Sequence, residues 1–404
     1  MAKQLYIDFD EYIRQGEPDQ REKASVWSTA IGLQAVDGLT TSEYLQETAK
    51  RNIEGEITID EARQAIHNYY TTKTAHDSTD VDVEEADRVS ANIALLLSSD
   101  TFSFSAFAYT MVHRNIFKGV FKHAGQIRNY NISKKEWVLH GDTVMYMYAA
   151  DLAMALEYDI EQERQFCYGG LTTDEIIAHI SRFTANLWQI HAFGEGNTRT
   201  TAVFVILYLR SLGFKANNDI FALNSWYFRN ALVRYVYKNR DGVMPEPKYL
   251  ERFFRNMLLG EQWVLKNRYL VLNPPEEYRE QPRLDASTAR RQQETLAQAR
   301  NTPTSTPTST PTSTEQVNNQ FWTRNENIQR LVKAVQLDVC SVKEIMVRVG
   351  LKDRKNFLEY SLNPALNDGF VRMLHPDSPR HPRQKYLLTV KGMGLYERIT
   401  HTKK

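Results

Sequence analysis

The spacing of apolar residues is helical over most of the chain. Residues 83–97, Val-Glu-Glu-Ala-Asp-Arg-Val-Ser-Ala-Asn-Ile-Ala-Leu-Leu-Leu, repeat at i, i+3 and i+4, which predicts an amphipathic helix. Residues 103–121 continue in that manner, and residues 61–70 form a further helical stretch. Glu54-Gly55 marks a turn before it, with Gly55 a candidate helix C-terminus. Two more apolar runs, 177–190 and 201–209, flank the decapeptide His191-Ala-Phe-Gly-Glu-Gly-Asn-Thr-Arg-Thr200. That decapeptide therefore reads as a loop between two buried helices, with its glycines at the turn. Residues 130–144 depart from the pattern. They are rich in β-formers, interrupted by polar residues and bounded by Asn129 and Gly141-Asp142, and they predict a short β-hairpin.

Residues 302–313 repeat a Thr/Pro/Ser unit with prolines at 303, 307 and 311 and nothing apolar to bury, so they read as an extended tether. Beyond it, helical patterns at 325–335, 341–350 and 353–367 precede strand patterns at 370–374 and 385–390. Three helices followed by a hairpin predict a winged helix-turn-helix. The division expected is an N-terminal helical segment at 1–68, a core at 69–274, a linker at 275–317 and a C-terminal domain at 318–404. The fold class expected is mainly α, a helical core with one β-hairpin flap, plus a C-terminal α+β winged domain.

The 404 residues suffice for two or three domains. With 42% hydrophobic and 25% charged residues the chain has the composition of an ordinary globular protein. A net charge of +1 selects neither nucleic acid nor membrane. Cys167 and Cys340 lie far apart and make no metal pattern, which fits a reducing compartment. No signal peptide is legible, and no apolar run approaches the ~20 residues of a membrane span. A cytoplasmic protein with no membrane partner is expected.

Chemistry concentrates in the decapeptide. Gly194 and Gly196 let backbone N–H groups approach an anion, and the following helix adds its positive end. Arg199 offers a bidentate fork for phosphate. Glu195 is a hard anion suited to Mg²⁺, and His191 suits a general base. His113 and His123 lack such company and read as structural.

The spacing His-x-Phe-x-Glu-Gly-Asn-x-Arg resembles the signature of the Fic family, enzymes that transfer AMP from ATP to protein hydroxyls. Val112-His-Arg-Asn-Ile-Phe117 and Ala124-Gly-Gln-Ile-Arg128 are similar to the helix and turn before the family's flap, and 130–144 is similar to the flap itself. The resemblance spans about residues 50–270.

It implies ATP as donor, Mg²⁺, and a target protein bearing a Ser, Thr or Tyr hydroxyl, the chain itself included. It implies His191 as the base, Phe193 packed beneath the loop, and Glu195 on Mg²⁺. Gly194, Gly196, Asn197, Thr198 and Arg199 would then bind phosphates. Flap residues Asn131, Ile132, Val138 and Leu139 would dock the target by β-augmentation.

Four departures stand out. Ala192 replaces the usual Pro, Thr198 the second motif Gly, and Ala202 the second Arg. The adenine-site pattern reads Phe228-Arg229 and Val236, which leaves the donor base open. Lys50-Arg-Asn-Ile-Glu54-Gly55 is similar to the family's inhibitory motif, with Lys50 where Ser or Thr is usual. Glu54 is thus the candidate inhibitor, with Arg199 as its partner in place of Ala202.

In the C-terminal domain, Lys352, Arg354 and Lys355 open the candidate recognition helix, and Arg372, Arg380, Arg383 and Lys385 mark the wing, with His375 and His381. DNA is one candidate partner for this surface, a protein another, and a homodimer is a further arrangement. A second function also fits: a nucleotide-sensing, DNA-binding regulator with little turnover. A third keeps the enzyme and changes the donor.

Overall fold

The computed structural model describes residues 9–72, 78–99, 101–216, 219–285 and 319–401. Most of the expected linker, together with the Thr/Pro/Ser repeat, lies outside them. The chain divides into two compact units: Met1–Tyr168 with Ala178–Pro247, and Gly169–Ile177 with Lys248–Lys404.

The first unit is helical. It runs through α1 (Phe9–Gln15), α2 (Pro18–Gly32), α3 (Glu43–Ile53), α4 (Ile59–Thr72), α5 (Ser78–Leu97) and α6 (Ala106–Ile116). It continues through α7 (Leu152–Gln165), α8 (Thr173–Ile190, whose first turn belongs to the other unit), α9 (Asn197–Ser211) and α10 (Asp219–Val236). A 3-10 turn, Leu33–Asp37, follows α2. Every residue of α9 from Asn197 to Leu209 is buried, so this helix is the axis of the unit. A helix apolar on all sides has no stable place at a surface.

Trp27, Leu33 and Leu45 are fully buried and anchor α2, the turn after it and α3 in the core. Gly32 explains how α2 and α10 cross so closely: a Cβ there would meet the Ala222 backbone at 2.4 Å. Asp87 of α5 joins three helices. Its carboxylate accepts from the Ser42 N–H at 2.9 Å and from the Tyr70 hydroxyl at 2.7 Å, while Ser42 caps α3.

The segment 130–144 reverses direction, but among its residues no strand forms. This corrects the expected β-hairpin flap. Only its tip is closed by backbone bonds, from Glu136 N–H to Asp142 O and from Gly141 N–H to Glu136 O, around a 3-10 turn at Trp137–Leu139. The two legs are bridged by side chains. The Arg128 guanidinium donates to Tyr130 O and to Met147 O, and the Ala149 N–H donates to Asn131 Oδ1 at 2.8 Å. A side chain inserted between two legs holds them too far apart for a ladder.

In the second unit, α11 (Lys248–Leu259) is followed by an isolated antiparallel bridge between Trp263 and Arg283. The C-terminal portion folds around Ile328, Leu331, Val332, Ile345, Phe357, Leu388 and Leu395. It comprises α12 (Glu326–Val335), α13 (Val342–Val349), α14 (Arg354–Phe357), a π turn at Leu358–Leu362, and α15 (Asn363–Asn367). Strands β1 (Val371–Met373) and β2 (Tyr386–Leu388) pair antiparallel, and α16 (Val390–His401) closes the portion. Cys340 bridges to Tyr386, giving the small sheet a third edge before α13. The portion is thus three helical stretches, a two-stranded antiparallel sheet and a closing helix.

Its local signals act as the residues suggest. Ser341 and Glu344 form a reciprocal capping box, and Gly350 ends α13 at φ +78°. The second strand is shorter than 385–390, and α16 was not legible. Thr389 Oγ1 accepts from the Gly392 N–H at 3.1 Å and turns the chain into helix.

Candidate active site

The loop between α8 and α9 is shaped by its own side chains. Asn197 Oδ1 accepts from the Phe193 N–H at 2.9 Å, and its Nδ2 donates to Phe193 O at 2.7 Å. Thr198 Oγ1 accepts from Trp188 Nε1 at 2.9 Å. Both side chains are therefore committed to the loop, not presented to a ligand. Gly196 caps α9 at φ +70°, and a Cβ there would meet the Phe117 ring at 2.1 Å. Thr198 itself is helical, so the missing motif glycine imposes no strain at that position. The strained position is His191, at φ +52°.

Phe193 is fully buried, and its ring stacks 3.8 Å from His113 and 5.6 Å from Tyr109. His113 accepts from the Gly125 N–H through Nδ1 at 2.8 Å, so its proton sits on Nε2, which donates to Glu195 O at 3.2 Å. Burial is the main reason its pKa falls to about 4. It is structural, and it fixes the carbonyl beside the candidate metal ligand. The Glu195 side chain is exposed.

His191 is only 3% exposed. Its Nδ1 lies 3.3 Å from Trp188 O, and since a carbonyl only accepts, Nδ1 carries the proton. Nε2 is then the lone-pair nitrogen, and it is buried without a hydrogen-bond partner. Burial pushes the imidazole well below its ordinary pKa, assisted by the charges of Lys134, Arg128 and Arg229 and opposed by the Trp188 bond. The Tyr146 ring lies over it, 4.1 Å between centroids. The Tyr146 hydroxyl donates to Glu136 Oε1 at 3.1 Å, and burial with the Glu136 charge pushes that phenol well above its ordinary range. Glu136 is fully buried and held by Arg229 through two bonds of 2.7 and 3.1 Å.

Arg199 departs most from expectation. It is 2% exposed and aimed away from solvent. Nη1 donates to Gln34 Oε1 at 2.9 Å, Nη2 to Glu85 Oε1 at 2.8 Å, and Nε lies 2.8 Å from Asp37 Oδ2. The guanidinium also sits over the Phe117 ring at 4.8 Å. Glu54 is not among its partners. Glu54 is exposed, accepts from the Tyr12 hydroxyl and lies 3.8 Å from Lys50 Nζ. The expected Glu54–Arg199 pairing is thus replaced by Asp37 and Glu85. They reach Arg199 from the turn after α2 and from α5.

The flap residues divide. Asn131 is exposed and Ile132 half-buried, whereas Val138 and Leu139 are buried in the 3-10 turn that packs on α10. Trp137 of the same turn is exposed, but Val138 and Leu139 face inward, so neither is offered to a target. The expected base pocket does not form from Phe228 and Arg229. Phe228 is fully buried against Phe221, and Arg229 is spent on Glu136. Gly194 lies under the Tyr130 hydroxyl, which a Cβ there would meet at 2.5 Å. Glu136 and Tyr146 are not marked by the sequence, and Arg128 enters there only as the end of the turn before the flap. A buried carboxylate and a guanidinium bonded to carbonyls leave no local pattern of spacing.

Residues 103–209 match the model of the Fic/DOC family. Residues 326–389 match that of the Filamentation induced by cAMP protein Fic-like, C-terminal domain. The chain thus carries a Fic/DOC family domain and a Fic-like C-terminal domain. Among solved structures it is similar to a Fic family protein from Desulfovibrio desulfuricans G20. The two are 14% identical, with a TM-score of 0.38, over 94% of this chain and 90% of that one. No curated protein matches the chain. Among the described residues no helix is long and apolar enough to cross a membrane.

Proposed function

We propose that this protein transfers AMP from ATP to a hydroxyl side chain of a target protein, its own chain included. The supporting observation is the His191 imidazole: neutral, tautomer-fixed, with an unpartnered Nε2 just ahead of the turn that opens α9. Nε2 accepts the proton of the incoming hydroxyl. The hydroxyl oxygen bonds to the α-phosphorus, the bond to the bridging oxygen breaks, and pyrophosphate leaves. The opening N–H groups of α9 have no partner within the helix and suit the phosphates. Asn197 and Thr198 support this by holding the loop that aims those groups.

Among the described residues no cluster of three metal-ligand side chains gathers, and the exposed Glu195 carboxylate is a single hard donor. That fits Mg²⁺, which is commonly held by one carboxylate with phosphate oxygens and water. Bound there, it would neutralise charge on the phosphates.

The resting form is restrained. Tyr146 covers His191, and Arg199 can serve phosphate only after leaving Asp37 and Glu85. The same restraint favours a second reading, a nucleotide sensor with little turnover. The C-terminal portion would then supply the output, with DNA as partner. In that portion Lys352, Arg354, Lys355, Arg372, Arg380 and Arg383 are all exposed. Mass-shift assays with ATP and Mg²⁺ on wild type and His191→Ala test transfer. A thermal-shift screen of four nucleoside triphosphates tests the donor base. A nucleotide-dependent DNA shift without any mass increment favours the sensor.

A further inference from the structure

Arg128 is 5% exposed, and its bonds go to backbone carbonyls. Nε donates to His191 O at 2.8 Å, Nη1 to Tyr130 O at 2.5 Å, and Nη2 to Met147 O at 2.6 Å. Its own N–H donates to Ala192 O at 2.9 Å. All three of these side-chain partners are neutral backbone carbonyls, not carboxylates. A buried guanidinium satisfied by dipoles alone demands that those dipoles stay where they are. Two of the carbonyls belong to the two legs of the flap, and Met147 follows Tyr146, which covers His191, by one residue. The third belongs to His191 itself, in a left-handed backbone conformation that a histidine holds only under constraint.

We infer that Arg128 is a positioning residue that couples the two. Its fork holds the His191 carbonyl and both flap legs as one body, so the base cannot keep its orientation when the flap opens. The inference rests on the reading of His191 as the base. The coupling itself is a property of the fold and is measurable without turnover. Lysine cannot replace the fork, because a single ammonium at the end of a flexible stem cannot hold three diverging carbonyls.

Hydrogen exchange on the full wild-type chain, followed against low denaturant, is the first test. Peptides covering 130–149 and 190–196 should open with one common free energy. Separate opening energies for the two segments overturn the coupling. The second test uses Arg128→Gln and Arg128→Lys. Both should raise exchange in the two segments together and leave α10 protected. Loosening of the flap alone, or of the loop alone, overturns the proposal. If Arg128→Gln does not fold, Arg128→Lys and the wild-type experiment still decide. A third readout is transfer: kcat should fall about 100-fold, the scale of an ångström-sized misplacement, with the nucleotide KM unchanged. An equal loss through KM overturns the positioning role. Absence of transfer in wild type counts against the base assignment and leaves the exchange result to decide the coupling.

Discussion

Arg199 Nη2 donates to Glu85 Oε1 at 2.8 Å, joining the first turn of α9 to the middle of α5. The guanidinium that the motif would lend to a phosphate is therefore held by the protein's own acids. Replacing Glu85 with Gln keeps an acceptor and removes a charge. Glu85→Gln should lower the stability of the free protein by about 2 kcal/mol, the scale of a hydrogen bond to a charged group. It should also enlarge the thermal shift given by ATP with Mg²⁺. A ligand shift equal to that of wild type would show that Arg199 is not the restrained group.

Tyr146 and Arg229 meet on the Glu136 carboxylate. Arg229→Met leaves that fully buried carboxylate without its cation. Breaking a buried pair from one side typically costs about 3–5 kcal/mol, so a large loss of stability is expected in urea unfolding. Tyr146→Ala should also cost stability, as a buried aromatic lost, but in the folded fraction it should uncover the imidazole. Acylation of His191 by an imidazole-directed reagent should then accelerate, and an unchanged rate would contradict the cover.

Acid sensitivity follows from two buried histidines. His113 and His191 are both held below the ordinary value of 6.5, first by burial. The unfolded chain therefore binds protons that the folded chain refuses. Stability should be full above pH 6.5 and fall as pH drops below it, for His113 by about 1.4 kcal/mol per unit down to about pH 4, with His191 adding to the loss in the same direction. Urea midpoints at pH 7, 6 and 5 measure the slope, and His113→Asn should remove part of it. A flat profile over that range would exclude neutral, buried imidazoles.

Gly196→Ala places a methyl group within 2.1 Å of the Phe117 ring at a residue with φ +70°. The backbone penalty is about 1–2 kcal/mol and overpacking adds about 1–3. Thermal denaturation should show a clear drop, and nucleotide binding should weaken with it. Stability equal to wild type would mean that the loop has room to shift.

The helices around the site were legible because burial on α8 and α9 needs apolar residues at regular spacing, as in 177–190 and 201–209. The loop was legible because His191, Glu195, Gly196, Asn197 and Arg199 stand at fixed offsets. What was illegible depends on distance along the chain. Gln34 and Glu85 reach Arg199 across 165 and 114 residues, and nothing local marks them. Phe228 reads as well as core as it does as pocket wall, and only packing decides. The flap looked like a hairpin because its composition suits strands, yet Arg128 between the legs replaces the ladder. The helix at 390–401 was hidden by Gly392 and Gly394, residues that ordinarily weaken helices. Gly392 is there because a Cβ would meet Phe370 O at 2.0 Å.

The most direct test is the intact mass of the purified chain after incubation with ATP and Mg²⁺, alone and with a lysate-derived hydroxyl-bearing target, in three forms: wild type, Glu85→Gln and His191→Ala. A unit of AMP should appear on chain or target, more with Glu85→Gln than with wild type, and never with His191→Ala. Equal labelling by the His191→Ala protein, or no labelling by any form, contradicts the assignment of that imidazole as the base of a nucleotidyl transfer.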